Sequence, residues 1–227
     1  MSRNGAPPGD TSMPERAANG VNVEGLNAAT RELVELSIVI ATAREPELRA
    51  GMRRAAEAGV NPGWVEELIL QSYIFAGFPR ALNAAREWRR ASGIPAPRTD
   101  DDAIGDRYEL WRARGEATCA TVYGAAYDRL RGNIRELHPA LEEWMIVEGY
   151  GKLLGRPGLD LSRRELCIVA VCGALDQERQ LHAHLRGALN AGASPAEIRD
   201  TLEMVAAHVD ADAADRFAHL WDRVRKQ

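Results

Sequence analysis

The chain repeats part of its own sequence, and this repeat limits the folds that it can adopt. Arg31-Glu32-Leu33 recurs 133 residues later as Arg164-Glu165-Leu166. Further matches at the same offset, without gaps, are Leu48 with Leu181, Arg53 with Arg186, Ala58-Gly59 with Ala191-Gly192, Pro62 with Pro195 and Trp88 with Trp221. A constant offset over residues 31–88 is hard to obtain by chance. We therefore predict two copies of one structural unit, related by an approximate twofold axis.

The spacing of apolar residues indicates that both copies are helical. Leu33, Leu36, Val39 and Ile40 recur at the interval of an α-helix, and no stretch shows the alternating β-branched pattern of a strand. The sequence thus predicts an all-α fold. Predicted helices cover 62–76, 79–92 and, as one long helix, 105–131; another begins at 139 and runs toward 150, and four more fill 162–225.

Composition and charge exclude several classes of protein. The formal net charge is −4 and no basic stripe is present, which is unlike a nucleic-acid-binding protein. No apolar run reaches the roughly 18 residues that a membrane helix needs. The first 20 residues lack the apolar core of a secretory signal, and three cysteines are too few for a disulfide scaffold. We expect a cytoplasmic protein without nucleic-acid or membrane partners.

Several motifs carry a resemblance to a known family. Residues 155–160 (Gly-Arg-Pro-Gly-Leu-Asp), followed by Arg164-Glu165-Leu166, are similar to the first part of the family's conserved unit. Residues 180–193 are similar to its most recognisable motif, and residues 73–79 with 81–84 to its second signature. On these residues the chain resembles the carboxymuconolactone decarboxylase family, which includes the alkylhydroperoxidase D-like proteins. The resemblance covers about residues 26–92 and 105–225.

The resemblance implies a domain organisation and an assembly. Residues 1–25, rich in Gly, Pro, Asn and Ser, are predicted to be a disordered arm. Residues 26–92 would form a first, shortened unit that lacks the front helices, residues 93–104 a linker, and residues 105–227 a second, nearly complete unit. The two tandem helical units would be fused into one body. Family members form rings, so a two-copy chain would be a homotrimer that imitates a hexamer.

The family's thiol peroxidase chemistry does not fit this sequence. The peroxidase branch uses the pattern Glu-x11-Cys-x2-Cys-x3-His, and the outer spacing is present because Glu165 and His184 are 19 positions apart. Gln177 and Gln180, however, occupy the two cysteine positions. Peroxide reduction of this type needs a thiolate of low pKa and a resolving partner. We expect the cysteines of the chain, Cys119, Cys167 and Cys172, to be packing residues.

A metal site is also not expected. His182 and His184 are two positions apart on a helix, so they lie about 200° apart around its axis and cannot bind one ion together. No organic cofactor is implied by the resemblance, because in the family's type reaction the substrate carries its own electron sink.

The residues that remain predict a small acid–base site. The family motif brings His184 and Glu165 together, and an imidazole beside a carboxylate can act as a general acid; a structural hydrogen bond is the alternative. Arg186 is a candidate for binding an anionic substrate, although Arg53 at the matching position leaves a structural ion pair open. Aromatic residues that could wall a pocket, or pack in the core instead, are Tyr73, Phe78, Trp144 and Tyr150.

The expected function is that of a carboxymuconolactone decarboxylase-like lyase. It would act on a small carboxylated lactone or related acid, with His184 delivering a proton and Glu165 orienting it. Two alternatives stay open, namely a non-catalytic assembly or binding protein and a related isomerase or cyclase. The histidines favour catalysis in the second copy, because all five lie after residue 137 and Gly51 occupies the position that matches His184.

Overall fold

The chain is helical throughout the part that its structure describes. A computed structural model describes residues 25–98, 100 and 107–226, and no strand occurs in these residues. The predicted arm, apart from Gly25, lies outside the described residues, as do parts of the predicted linker. The α-helices are α1 Ala28–Thr42, α2 Glu45–Glu57, α3 Pro62–Phe75, α4 Phe78–Ser92, α5 Tyr108–Tyr123, α6 Tyr127–Leu137, α7 Pro139–Trp144, α8 Leu161–Ala174, α9 Glu178–Asn190, α10 Pro195–Ala206 and α11 Ala211–Val224. A π-helix, Met145–Leu154, continues α7.

The two sequence repeats fold into two copies of one four-helix unit. Helices α1 to α4 begin at residues 28, 45, 62 and 78, and α8 to α11 begin at 161, 178, 195 and 211, each 133 residues later. The caps repeat as well. Asn27 accepts a hydrogen bond from the backbone N–H three residues on, and Asp160 does the same at the start of α8. The prediction of an all-α fold made of tandem units is confirmed.

The copies share one core because α1 packs directly against α8. Every residue of α8 from Arg164 to Gly173 is buried, so this helix is covered on all sides. Equivalent residues meet at the contact: the Arg163 side chain donates to the hydroxyl of Thr30, its match in the first copy, at 3.0 Å. Ser37 Oγ lies 3.3 Å from the carbonyl of Cys167. The approximate twofold axis therefore passes between α1 and α8.

A pair of reciprocal ion pairs supports the same axis. Arg164 on α8 donates to Glu67 on α3 at 2.7 Å, and Arg31 on α1 donates to Asp200 on α10 at 2.7 Å. Arg31 and Asp200 are the residues that match Arg164 and Glu67 in the repeat. The two pairs differ in burial, since the Arg164 side chain is fully buried whereas that of Arg31 is 47% exposed. Arg156 adds a second cation to Glu67 at 3.1 Å.

The helices that follow the first unit and precede the second in the sequence, α5, α6, α7 and the π-helix, form a further group, called here the front layer. The prediction of one helix over 105–131 is wrong, because α5 ends at Tyr123 and a 3-10 turn, Gly124–Ala126, leads into α6. Gly124 has φ 51°, a left-handed conformation that favours glycine and ends a right-handed helix. The helix that starts at Pro139 becomes a π-helix at Met145, and at the end of the π-helix the amide of Gly155 bonds to the carbonyl of Tyr150, five residues earlier, at 2.8 Å.

Two glycines let α5 cross the π-helix at very close range. A Cβ added to Gly115 would lie 2.0 Å from the carbonyl oxygen of Ile146, and one added to Gly151 would lie 2.1 Å from that of Trp111. The crossing thus has no room for any side chain at either position. It fixes the two helices that supply much of the cavity described below.

None of the helices in these described ranges combines the length and the apolar character that a membrane crossing requires.

We predict that Gly115→Ala destabilises the chain and that Gly132→Ala does not. The first change places a methyl group against backbone that cannot move aside, which should lower the free energy of unfolding by about 3 kcal/mol or more. Gly132 lies in α6, where an added Cβ would meet no atom within 4 Å, so its substitution should raise stability by about 0.5–1 kcal/mol. Urea unfolding followed by circular dichroism measures both; equal stabilities would contradict the close crossing.

The two reciprocal ion pairs should differ in their contribution to stability. Glu67→Gln leaves the buried Arg164 without a counter-ion, with the like charge of Arg156 still beside it, and should cost about 3 kcal/mol. Asp200→Asn makes the matching change beside the half-exposed Arg31 and should cost less than about 1 kcal/mol. Thermal or urea unfolding of the two isosteric variants gives the comparison. A larger loss for Asp200→Asn would show that burial does not separate the two pairs.

Candidate active site

A cavity of about 960 Å³ lies between the front layer, the end of α3 and the first turns of α9. Its wall is mostly apolar and aromatic, with a few polar groups. The lining residues are Tyr73, Ile74, Phe75, Tyr123, Leu130, Ile134, Leu141, Trp144, Met145, Glu148, Gly149, Tyr150, Leu154, Arg179, Gln180, Ala183 and His184. Three of them, at residues 73–75, belong to the first unit and the rest to the second unit and the front layer. The cavity is therefore built from both halves of the chain.

His184 and Glu165 form a buried pair at this cavity. His184 Nδ1 lies 2.8 Å from Glu165 Oε2, between α9 and α8. Glu165 is fully buried and His184 is 5% exposed. An ionised carboxylate can only accept a hydrogen bond, so Nδ1 carries the proton and Nε2 is left for a ligand. The Nε2 atom of His184 makes no hydrogen bond to any residue that the structure describes. The Phe75 ring meets the imidazole edge-on at 5.6 Å between ring centres.

Gly187 makes room for the carboxylate. A Cβ at this position would lie 2.6 Å from Glu165 Oε2, which is too close. Helix α9 can therefore lie this near to the Glu165 carboxylate only because residue 187 is a glycine. In the first copy the matching residue is Arg54, which lies 3.9 Å from Glu32, the match of Glu165. Gly51 stands in place of His184 there. The first copy thus holds a partly exposed ion pair where the second holds a buried acid–base pair.

Two tyrosines lie on the front-layer side of the same cavity. Tyr123 ends α5 and Tyr150 lies on the π-helix, and their rings meet edge-on with 6.1 Å between centres. Burial raises the pKa of Tyr123 to about 12 and raises that of Tyr150 well above its usual range. The nearby Glu165 carboxylate adds to both increases. Both phenols are therefore protonated at neutral pH and can donate hydrogen bonds.

The structure brings most of the predicted site residues together. Tyr73, Trp144 and Tyr150 line the cavity with His184, and Glu165 lies behind the imidazole. Phe78 is not among the lining residues: it starts α4, is 59% exposed and contacts the Tyr73 ring edge-on at 5.6 Å.

Arg186 does not reach the cavity. Its Nη2 donates to the carbonyl of Val224 on α11 at 3.1 Å. Because Arg186 is two positions beyond His184 on α9, its side chain leaves the helix on another face. The structure thus places it in a hydrogen bond between α9 and α11 rather than at the cavity.

Sequence reasoning missed several residues of the site. Gln180 is one turn before His184 on the same face of α9, so helical spacing could have identified it. Phe75 could have been included with its neighbour Tyr73. Tyr123 and Glu148 gave no local signal, because the break after α5 and the π-helix decide where their side chains lie.

The comparisons with known proteins agree with the fold and the repeat. The model of the Carboxymuconolactone decarboxylase family matches residues 12–90 and 139–223, which together cover more than half of the chain. The chain is 26% identical over 179 residues to Peroxisomal protein 2 of Schizosaccharomyces pombe, covering 77% of this chain and 83% of that protein. It is 26% identical over 166 residues to Peroxisomal protein 2 of Saccharomyces cerevisiae, covering 61% and 56% of the two chains.

A bacterial enzyme matches a shorter region. The chain is 35% identical over 81 residues to 4-carboxymuconolactone decarboxylase of Acinetobacter baylyi, a match that covers 34% of this chain and 60% of the enzyme. The family match over both repeats, together with the all-helical tandem fold, identifies the chain as a member of the carboxymuconolactone decarboxylase family.

Proposed function

We propose that this protein is a cofactor-independent carboxy-lyase that acts on a small carboxylated lactone or a related acid. The observation that carries the proposal is the His184–Glu165 pair, which is buried, hydrogen bonded at 2.8 Å and placed at the wall of an accessible cavity. A purely structural histidine has no need of a cavity beside its free nitrogen. The matching position in the first copy is a glycine, and that copy packs without the pair.

The proposed reaction is a decarboxylation followed by protonation. The bond between the substrate carbon and its carboxylate breaks, carbon dioxide leaves, and the electron pair moves into a conjugated carbonyl system to give an enolate. The imidazolium form of His184 then transfers its Nε2 proton to carbon, and the ring returns to the neutral form held by Glu165. Solvent supplies one proton to the ring per turnover. Glu165 orients the imidazole and stabilises its charged form, without itself taking the proton.

The wall of the cavity suits a substrate whose carboxylate is to be lost. Ile74, Leu130, Leu141 and Leu154 offer no group that would hold a carboxylate tightly. A cation in firm contact with that group would stabilise the ground state and oppose its departure. Arg179, which is exposed at the cavity, can attract an anionic substrate from solvent without being buried with it.

An isomerase is the second candidate, and one observation favours it. In its neutral form His184 presents an unprotonated Nε2 to the cavity, since Nδ1 donates to Glu165. Such a nitrogen can accept a proton from a carbon next to a carbonyl and return it elsewhere on the substrate. The same pair would then serve a proton-shifting reaction without loss of carbon dioxide. Product analysis separates the two candidates.

We also propose that the chain assembles as a homotrimer that imitates a six-unit ring. Large apolar side chains outside the cavity are exposed in the single chain, among them Leu137 at 77% and Leu82 at 51%. A subunit contact would remove such residues from water. The cytoplasm remains our proposed compartment on composition. Two relatives carry the peroxisome in their names, and that compartment is the alternative.

Thiol chemistry is not part of the proposal. Cys119, Cys167 and Cys172 are all buried and free, and burial raises the pKa of each thiol to about 12. At neutral pH such groups are almost entirely protonated, and a thiol is a poor nucleophile compared with its thiolate. Gln177 and Gln180, at the positions that hold cysteine in the peroxidase motif, cannot replace a thiol.

We predict that the three thiols resist modification in the folded protein. At about pH 8 a pKa of about 12 leaves roughly one thiolate in 10,000, so reaction with a disulfide reagent should be very slow. The rate should rise with pH toward 12, since the thiolate is the reactive form. Unfolding in denaturant should release all three thiols to rapid reaction. A fast-reacting thiol in the native protein would contradict the burial of these residues.

The acid–base pair is tested by a screen of carboxylated lactones with matched variants. His184→Ala should lower turnover about 100-fold or more, because the proton donor is lost. Glu165→Gln should lower it less, since the ring remains but its orientation and charge are less well supported. His182→Ala is the control: this exposed residue lies two positions away and outside the cavity. Undiminished turnover in His184→Ala, measured by substrate absorbance, would rule out the assignment.

A further inference from the structure

The mechanism proposed above does not use the two phenol groups of the cavity. Tyr123 is half-buried at the end of α5, and Tyr150 is 4% exposed on the π-helix. The glycine-mediated crossing of α5 and the π-helix holds these two elements together, with Trp111 and Gly151 in backbone contact. Both rings are therefore supported by a rigid part of the front layer and face the cavity that His184 lines.

The environment of these phenols makes them hydrogen-bond donors rather than packing groups alone. Burial keeps both hydroxyls protonated, as described above. A buried tyrosine hydroxyl normally has a partner. Tyr150 is the deeper of the two, and its ring meets that of Tyr123 edge-on with 6.1 Å between centres. Tyr123, the less buried of the two, then has its own proton to offer to a molecule in the cavity.

We infer that Tyr123 donates a hydrogen bond to the carbonyl or enolate oxygen of a planar ring ligand, and that Tyr150 orients the Tyr123 hydroxyl. This inference rests on the proposed function and names the substrate feature that the site recognises. In the proposed reaction the electron pair released from the departing carboxylate accumulates on that oxygen. A donor placed there stabilises the transition state more than the ground state, because the charge develops during the reaction.

The cavity wall favours a flat ligand with few charges. The aromatic rings of Tyr73, Phe75 and Trp144 also line the cavity and can pack against the faces of a ring. Glu148 lines it too and would repel a second anionic group, although Lys152 partly neutralises it at 2.7 Å. The ligand class is therefore a planar, conjugated ring with one oxygen that bears the developing charge.

The inference is tested by binding two probes that differ only in the oxygen. 4-Nitrophenolate carries a delocalised oxyanion on a flat ring, whereas 4-nitroanisole has the same ring with a methylated, uncharged oxygen. A hydrogen bond to a charged group is worth enough that Tyr123→Phe should weaken 4-nitrophenolate binding about 10-fold or more. Binding of 4-nitroanisole should change less than about 2-fold. Both dissociation constants are measured by quenching of tryptophan fluorescence.

Two further variants complete the design. Tyr150→Phe should weaken 4-nitrophenolate binding by a smaller factor, because it removes only the orienting group. Tyr108→Phe is the matched control, since Tyr108 is exposed on α5, hydrogen bonded to Glu143 and outside the cavity. It should leave both probes bound as in the wild type. Thermal unfolding of each variant establishes that the proteins are folded.

The outcomes separate this inference from the proposed function. Selective loss of 4-nitrophenolate in Tyr123→Phe supports the donor role, even if no lactone is turned over and the lyase proposal fails. Equal weakening of both probes means that Tyr123 only shapes the cavity, and it overturns the inference. Unchanged binding, or no saturable binding of 4-nitrophenolate to the wild type, overturns it too, even if turnover of a lactone depends on His184.

Discussion

The contact between α1 and α8 is the constraint on which the rest of the structure depends. These two helices are the same element of the two repeats, and α8 is buried along its length from Arg164 to Gly173. A helix that is covered on all sides needs apolar side chains from neighbouring helices in every direction. The second unit covers only part of α8, and the first unit covers the rest, mainly through α1. The reciprocal pairs Arg164–Glu67 and Arg31–Asp200 tie each of these helices to a helix of the other unit, α8 to α3 and α1 to α10. The two units therefore have one core rather than two.

This arrangement explains why the cavity contains residues from both units. Because α1 is held against α8, the end of α3 lies beside α9, and Phe75 meets His184. The front layer closes the opposite side with Tyr123 and Tyr150. The site in the second unit thus has a wall that its own four helices do not provide. The approximate symmetry of the fold does not extend to the chemistry.

The two copies have diverged at a few positions that change what each can do. His184, Glu165 and Gly187 in the second copy match Gly51, Glu32 and Arg54 in the first. An arginine in place of Gly187 would occupy the space that lets the Glu165 carboxylate lie buried against α9. In the first copy Arg54 instead lies near Glu32 at the surface. One fold can host several chemistries, and here two substitutions, at the positions of His184 and Gly187, separate a surface ion pair from an acid–base pair at a cavity, while the glutamate is kept in both copies.

The sequence by itself determined the features that depend on local periodicity and on the repeat. These are the all-α class, the two copies and the nearness of Glu165 to His184, all of which follow from residues close in sequence or from the family motif. Only the tertiary structure decided which side chains share the cavity. The crossing of α5 and the π-helix places Tyr123 and Tyr150 at the same cavity as His184, and the helix face of Arg186 turns it toward Val224. Such placements depend on how distant helices cross, which a pattern with a period of 3.6 residues does not encode.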